Sequence, residues 1–314
     1  MKYVGVDIGG TNLKAGLVDE SGELLATQKM KVASIADDEG LAWTVASLVQ
    51  ELARTVNIPV SDVASVGVGV PGTVEIRSGS INYTCNLPLR NVPLRKLFHR
   101  YLSIPLYIEN DANCAALAEY LVGAGRDSKR FVTVTLGTGV GAGIVVDGKI
   151  WSGAHGAASE LGHLIIEVDG IPCTCGKCGC TERYCSATAI IRMAKEACAL
   201  HPDCAILKAV NGDVDKITAK TVFDLAKEGD DIANRVFRRY VKYLTIAINN
   251  VVSFLDPDMI VLGGGVSRAG DFLLDAVREL LPKYLMYPVL PMPEIALAQL
   301  GNDAGIIGAA LLGR

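Results

Sequence analysis

No apolar stretch of the 314-residue chain approaches the roughly 18 residues that a membrane-spanning helix needs, so a membrane partner is not expected. The start, Met1 to Val6, lacks a basic region followed by an apolar core; a secretory leader is not expected, and a cytoplasmic location is. Positive charge is not in excess: 30 Lys and Arg stand against 34 Asp and Glu, and a pI near 5.7 argues against a dedicated nucleic-acid binder. Low-complexity linkers are missing. With half the residues hydrophobic and a fifth charged, disorder, coiled coil and collagen are excluded. The Walker A pattern is absent, and so is G-x-G-x-x-G at a strand-to-helix junction.

At 33.2 kDa the chain has room for about two domains of roughly 150 residues, with a core that needs no staples. Its nine cysteines are odd in number and unevenly spaced, which does not suit a disulfide framework. Cys85, Cys114, Cys198 and Cys204 are scattered and read as small buried hydrophobes. Cys173, Cys175, Cys178, Cys180 and Cys185 crowd into one loop, a spacing that asks for a metal. The 33 glycines cluster as well.

Strands and helices alternate with short connections, which indicates an α/β fold. Tyr3–Asp7 and Leu13–Val18 read as a hairpin turned by Gly9-Gly10-Thr11-Asn12. A helix is expected over Leu41–Val56, ended by Asn57-Ile58-Pro59, and a buried strand over Val63–Val70, closed by Pro71-Gly72. The strand Leu106–Glu109 delivers Asn110-Asp111 to a helix over Ala112–Leu121, where Asx residues suit the N-cap. Phe131–Leu136 and Ala142–Asp147 flank Gly137-Thr138-Gly139-Val140-Gly141. Strand, glycine turn and strand thus recur in the second half, as a duplicated domain would show. A long helix near Asp231–Phe254, a strand Met259–Leu262 before Gly263-Gly264-Gly265, a helix after Ala269 and a last helix over Ala304–Leu312 complete the reading.

Glycine turns between strands bare successive backbone N–H groups, which form concave anion sites suited to phosphates. One such turn alone is ordinary hairpin geometry. Three of them, with the Thr11 and Thr138 hydroxyls and Asp7 able to hold Mg²⁺ directly or through water, point to a nucleotide clamp between two related halves. Downstream, Glu160-Leu161-Gly162-His163 precedes Cys173-Thr174-Cys175-Gly176-Lys177-Cys178-Gly179-Cys180-Thr181-Glu182. Three thiolates and one imidazole satisfy tetrahedral zinc completely, which makes a closed, structural site. An iron–sulfur cluster is the rival and an inert loop the plain alternative; the nearby histidine and interleaved glycines favour zinc.

The pairing of Glu-x-Gly-His with Cys-x-Cys-Gly-x-x-Gly-Cys-x-Glu resembles the ROK family of sugar kinases, in the actin–hexokinase superfamily. The likeness extends to Asp7-Ile8-Gly9-Gly10-Thr11-Asn12, Gly69-Val70-Pro71-Gly72, Asn86-Leu87-Pro88, Glu109-Asn110-Asp111-Ala112-Asn113, Leu136-Gly137-Thr138-Gly139 and Leu262-Gly263-Gly264-Gly265. It implies a two-domain actin-like ATPase (ribonuclease H-like) α/β fold with duplicated mixed-sheet domains flanking a cleft. Residues 1–115 with the C-terminal helix 298–314 would form the smaller domain, and 116–297, with the zinc loop 163–182, the larger.

The same resemblance implies a Mg-ATP-dependent hexose kinase acting on a 6-hydroxyl. Glucose is the first expectation, with N-acetylmannosamine, fructose and N-acetylglucosamine as alternatives. Structural zinc would be held by His163, Cys173, Cys175 and Cys180. Cys178 departs from the family pattern and is expected to be free, although it forms C-x-x-C with Cys175. Asp111 would be the base, kept ionised by the helix N-terminus, with Gly72, Asn86, Asn110, Glu160, His163 and Glu182 around the sugar. Leu89 replaces an aromatic that the family often places after Asn-Leu. Asp7, Gly9, Gly10, Thr11, Asn12 and Lys14, with Gly137, Thr138 and Gly139, would meet the phosphates, and Gly263, Gly264 and Gly265 the adenosine end. Lys14 reads equally as a solvated strand lysine.

ROK repressors add an N-terminal helix-turn-helix; with the first strand at Tyr3, none is expected here. Arg90, Arg95, Lys96, His99 and Arg100 read as a solvated helix face rather than a DNA contact. An iron–sulfur ATPase activator on the same fold is the remaining alternative. The family suggests a homodimer or a homotetramer.

Overall fold

The computed structural model describes residues 1–32, 37–84 and 87–314. Along the chain run β1 (Lys2–Ile8), β2 (Asn12–Asp19), β3 (Leu24–Lys31), β4 (Val63–Val70), a small sheet of β5 (Gly72–Glu75), β6 (Ser80–Thr84) and β7 (Arg90–Val92), and then β8 (Leu106–Asn110). These give a sheet ordered β3-β2-β1-β4-β8. Further on, β9 (Arg130–Leu136), β10 (Val140–Val146), β11 (Lys149–Ile150), β12 (Met259–Gly263) and β13 (Glu294–Leu297) give a sheet ordered β11-β10-β9-β12-β13. Position for position the two orders are the same. The outer pairs agree too, since β2/β3 and β10/β11 are antiparallel while β4/β8 and β12/β13 are parallel. The repeat read from two glycine turns therefore extends to whole sheets.

Burial explains the strand types. The interior strand β4, parallel to both its neighbours, is a valine-rich run buried at seven of its eight positions, as a strand covered on both faces must be. The edge strand β3 alternates half-buried and exposed residues instead, with Leu25, Thr27, Lys29 and Lys31 facing out and Gln28 on the half-buried face, where it donates to Glu51 at 3.2 Å. The helices are α1 (Asp38–Thr55), α2 (Leu94–Phe98), α3 (Asp111–Val122), α4 (Glu182–Cys185), α5 (Ala187–Leu200), α6 (Ala205–Ala209), α7 (Ala219–Lys227), α8 (Asp231–Leu255), α9 (Asp271–Leu280) and α10 (Ala304–Leu311). Helix α1 begins three residues before the expected Leu41, because Asp37 caps it by accepting from the Gly40 N–H at 2.7 Å and Asp38 and Glu39 suit its first turn.

The chain condenses into two compact units, one of residues 1–133, 143–159 and 299–314, the other of 134–142 and 160–298. In the first, α10 lies on β1 and β4 so closely that a Cβ on Gly5 or Gly67, paired neighbours in the sheet, would stand 1.9 Å and 1.7 Å from helix carbonyl oxygens. Glu119 of α3, 1% exposed, accepts from the Ala124, Gln299 and Leu300 N–H groups at 2.8–3.1 Å and fastens the approach to α10. In the second unit α8 buries Phe237, Tyr240, Leu244 and Ile248, and Phe237 stacks on Phe272 at 4.2 Å. Among the described residues no helix is long and apolar enough to cross a membrane.

The cationic stretch is solvated at Arg90, Lys96, His99 and Arg100, as expected, but most of it is also tied to the chain. Arg90 donates to the Thr84, Leu87 and Leu89 carbonyls, and Arg95 to those of Leu106, Arg77 and Ile76. His99 contacts the Ile104 carbonyl and Arg100 pairs with Glu39. Arg90 and Arg95 thereby tie down the unit's own loops.

Candidate active site and metal centre

Strand β8 runs straight into α3, and Asn110 is the cap at the junction. Its Oδ1 accepts from the Ala112 and Asn113 N–H groups at 2.9 and 3.2 Å, which leaves Asp111 as the first helical residue. Asn110 Nδ2 donates to the Gly72 carbonyl at 3.2 Å. Gly72 has φ +147°, and a Cβ there would lie 2.0 Å from the Tyr83 carbonyl oxygen, so the position admits no side chain. Asn86 and Cys85, the former expected at the sugar, lie outside the described residues.

Asp111 and Asp7 are half-buried carboxyls of the first unit that sense each other. Burial pushes Asp7 up from the ordinary 3.8 to about 6, and the charge of Asp111 adds to the rise. Lys14, directly opposite Asp7 in the β1–β2 register, opposes it. Burial also lifts Asp111, against the Ala112 and Asp111 N–H groups. The helix start does favour the charged form, as expected, but desolvation outweighs it, so the carboxyl sits above its ordinary value. Cys114, one turn on and fully buried, registers the same field. Its thiol is pushed well up by burial and then by Glu109, Asp111 and Asp7.

Glu109, which the sequence reading passed over, underlies this junction at 3% exposure. Its Oε1 accepts from the Asn110 N–H at 2.9 Å and from Asn113 Nδ2 at 3.0 Å; its Oε2 accepts from the Ser152 hydroxyl at 2.8 Å. A carboxylate can face only the amide's NH₂ end, so Asn113 Oδ1 turns to Ser159, whose Oγ is 3.2 Å away. The available signal was a glutamate closing an otherwise apolar strand beside Asn110-Asp111.

The glycine hairpins do not need glycine for their turns. Gly9, Gly137 and Gly139 avoid left-handed backbone, and each hairpin closes on a short bond, Gly9 N–H to Asn12 O and Gly137 N–H to Gly139 O, both 2.9 Å. At Gly137 the nearest atom to a Cβ would be 4.0 Å off. What glycine leaves there is bare backbone beside exposed Gly10, Thr11 and Thr138. Gly264 differs: at φ +85°, with the Leu136 carbonyl oxygen 2.5 Å from where a Cβ would stand, it sets the Gly263–Gly265 turn against the end of β9.

In the second unit Glu160 is exposed and opens the short turn Leu161–His163. His163, Cys173, Cys175 and Cys180 bring one donor atom each within 4.8 Å of one another. His163 Nδ1 is 3.8 Å from Cys173 Sγ, and Cys175 and Cys180 Sγ are 3.5 Å apart. A tetrahedron with metal–sulfur bonds of about 2.3 Å has sulfur–sulfur edges of about 3.8 Å, so the donor set fits a tetrahedral metal such as zinc. Cys178 is exposed and outside the cluster. Glu182, the first residue of α4, turns its carboxylate to the second hairpin, where Oε2 accepts from the Val140 N–H at 3.1 Å.

Over residues 3–314 the chain matches the model of the ROK family. It is 39% identical to a glucokinase of Halalkalibacterium halodurans, across 99% of this chain and 94% of that one. It is 32% identical to an N-acetyl-D-glucosamine kinase of Vibrio cholerae, across 99% of each. Among solved structures, a ROK glucokinase of Streptomyces griseus in complex with glucose and AMPPNP superposes with a TM-score of 0.82 at 35% identity, covering 99% of this chain and 98% of that one. Paired sheets of equal order, glycine hairpins and a cysteine–histidine cluster are thus found together with full-length kinship, and the chain belongs to the ROK family, with the α/β fold of the actin-like ATPases.

Proposed function

We propose that the chain is an ATP-dependent glucose kinase that phosphorylates the sugar's 6-hydroxyl. The observation that carries this reading is its 39% identity to a glucokinase over 99% of its length. The reaction needs positioning, charge neutralisation and a proton acceptor. Asp111 takes the hydroxyl proton; a carboxyl lifted by burial is a better base near neutral pH than an ordinary one. Asp7 would hold the nucleotide's Mg²⁺, which neutralises phosphate charge when bound. Gly9, Gly10, Thr11, Asn12 and Lys14, with Gly137, Thr138 and Gly139, offer the phosphates backbone N–H groups, hydroxyls and one cation, and Gly263–Gly265 receives the adenosine end. Lys14 also tempers the Asp7 carboxyl.

Zinc would be held by His163, Cys173, Cys175 and Cys180, where a closed site gives rigidity rather than chemistry at the reacting oxygen. With Nδ1 of His163 turned to the cluster, Nε2–H remains an oriented donor to a sugar hydroxyl. Glu160 and Glu182 accept from other hydroxyls, Asn110 and Gly72 line the pocket, and Cys178 stays free. A cytoplasmic homodimer or homotetramer is the setting the family suggests.

A coupled assay over glucose, N-acetylglucosamine, N-acetylmannosamine and fructose with Mg-ATP tests the reading. Glucose should give the highest kcat/KM. A larger value for an N-acetylhexosamine would select the second reading, which kinship to the Vibrio enzyme supports.

A further inference from the structure

Both arms of the cysteine–histidine loop converge on Val140, the first residue of β10 after the Gly137-Thr138-Gly139 turn. The Val140 N–H donates to Glu182 Oε2 at 3.1 Å, two residues beyond Cys180. On the other arm, a Cβ on Gly162 would stand 2.1 Å from the Val140 carbonyl oxygen, so the turn bearing His163 lies directly on that peptide. Gly139 is bare where a Cβ would come within 2.3 Å of Glu182 Oε2. Its backbone is not left-handed, so the missing side chain makes room for the carboxylate rather than for a turn. Beyond Glu182, the Ala187 N–H donates to the Gly137 carbonyl at 2.8 Å and Thr188 Oγ1 to the Thr138 carbonyl at 2.9 Å. Every residue of the Gly-Thr-Gly-Val turn is therefore in contact with the segment that follows the cysteine loop or with the turn that carries its histidine.

We infer that Glu182 is a positioning residue that couples sugar binding to the nucleotide loop. Its Oε2 fixes the Val140 N–H, and with it the hairpin, while Oε1 is left for a sugar hydroxyl. A carboxylate offers about four lone-pair sites, so the two contacts coexist. A sugar that holds one oxygen limits the rotamers of the other, so the hairpin is ordered before a phosphate reaches it. The second ligand then has less ordering to do, which is positive coupling without any change of fold. Linkage requires the effect to be reciprocal: sugar and nucleotide raise each other's affinity by one factor. The inference rests on the proposed sugar-kinase reading with this hairpin at the phosphates.

Calorimetric titration of glucose and of a non-hydrolysable ATP analogue with Mg²⁺, each with and without the other at saturation, measures that factor. The wild-type protein should show mutual tightening of about tenfold, within the usual range for coupled sites. Glu182→Ala removes the bridge. Gly139→Ala keeps Glu182 but places a methyl where Oε2 sits, and the flexible tip gives way rather than the fold. In both variants the factor should fall below about twofold, whatever the substitution costs either ligand alone, because the factor is a ratio of affinities in one protein. Absence of coupling in the wild type, or wild-type coupling in either variant, overturns the inference. If one variant loses a ligand outright the other decides, and loss in both overturns it too. If the wild type binds neither glucose nor the nucleotide, the kinase reading itself has failed.

Discussion

Asp7→Asn should make the ligand-free protein more stable at neutral pH while it removes turnover. Folding lifts the Asp7 carboxyl from 3.8 to about 6, by burial first and by the Asp111 charge second. At about 1.4 kcal/mol per pH unit, the charged form costs the folded state about 3 kcal/mol. The sign follows from proton counting. Between about pH 4 and pH 6 the folded chain holds the extra proton, so stability falls as pH rises through that window. The cost is complete by pH 7 and absent below pH 4. An asparagine of the same shape carries none of it, although Lys14 loses the partner it faces across the hairpin, so about 3 kcal/mol is a ceiling. For a domain of 150–250 residues that corresponds to about 6–12 °C in Tm. Thermal denaturation of both proteins without ligands at pH 4, 5, 6 and 7 reads the effect directly. A variant no more stable than wild type at pH 7, or a gain that does not shrink toward pH 4, refutes the reasoning.

On the acid side kcat/KM should fall as Asp7, pushed up to about 6, takes a proton; full activity at pH 4.5 would contradict a role for the charged carboxylate. Glu119→Ala strands the Ala124, Gln299 and Leu300 N–H groups and should destabilise by at least about 3 kcal/mol, read from the denaturation midpoint; a change under about 1 kcal/mol would show that water replaces the carboxylate. Metal analysis of purified protein should find one zinc per chain in the wild type and in Cys178→Ser and none in Cys180→Ser; the reverse pattern would exchange the two ligands.

The elements legible in the sequence were those that the local pattern alone decides. The run Val63–Val70 reads as a buried strand because it is rich in valine, carries no charge and is closed by Pro71-Gly72, and it holds those limits in the structure. Asn110 and Asp111 announced a helix start, and the order strand, glycine turn, strand announced the repeat. The edge strand β3 was missed because its lysines and glutamine mask a pattern whose apolar side is only half-buried. Helix α5 was missed because it begins directly after the cysteine loop, capped by Ser186. At the site, the spacing of the cysteines carried the metal cluster, and the fold brings the four expected donors together while leaving Cys178 outside. Charge balance was not legible. That burial would outweigh the helix start at Asp111, or that Glu109 would serve three donors from strand, helix and loop, depends on contacts between residues far apart in the chain.

The most direct measurement is the initial rate of glucose 6-phosphate formation from glucose and Mg-ATP by the wild-type protein beside Asp111→Asn. The wild type should turn over, and the variant should bind glucose yet lose about a thousandfold or more in kcat, the order of a missing proton acceptor. A wild type that leaves glucose unphosphorylated, or a variant with undiminished kcat, would contradict the account.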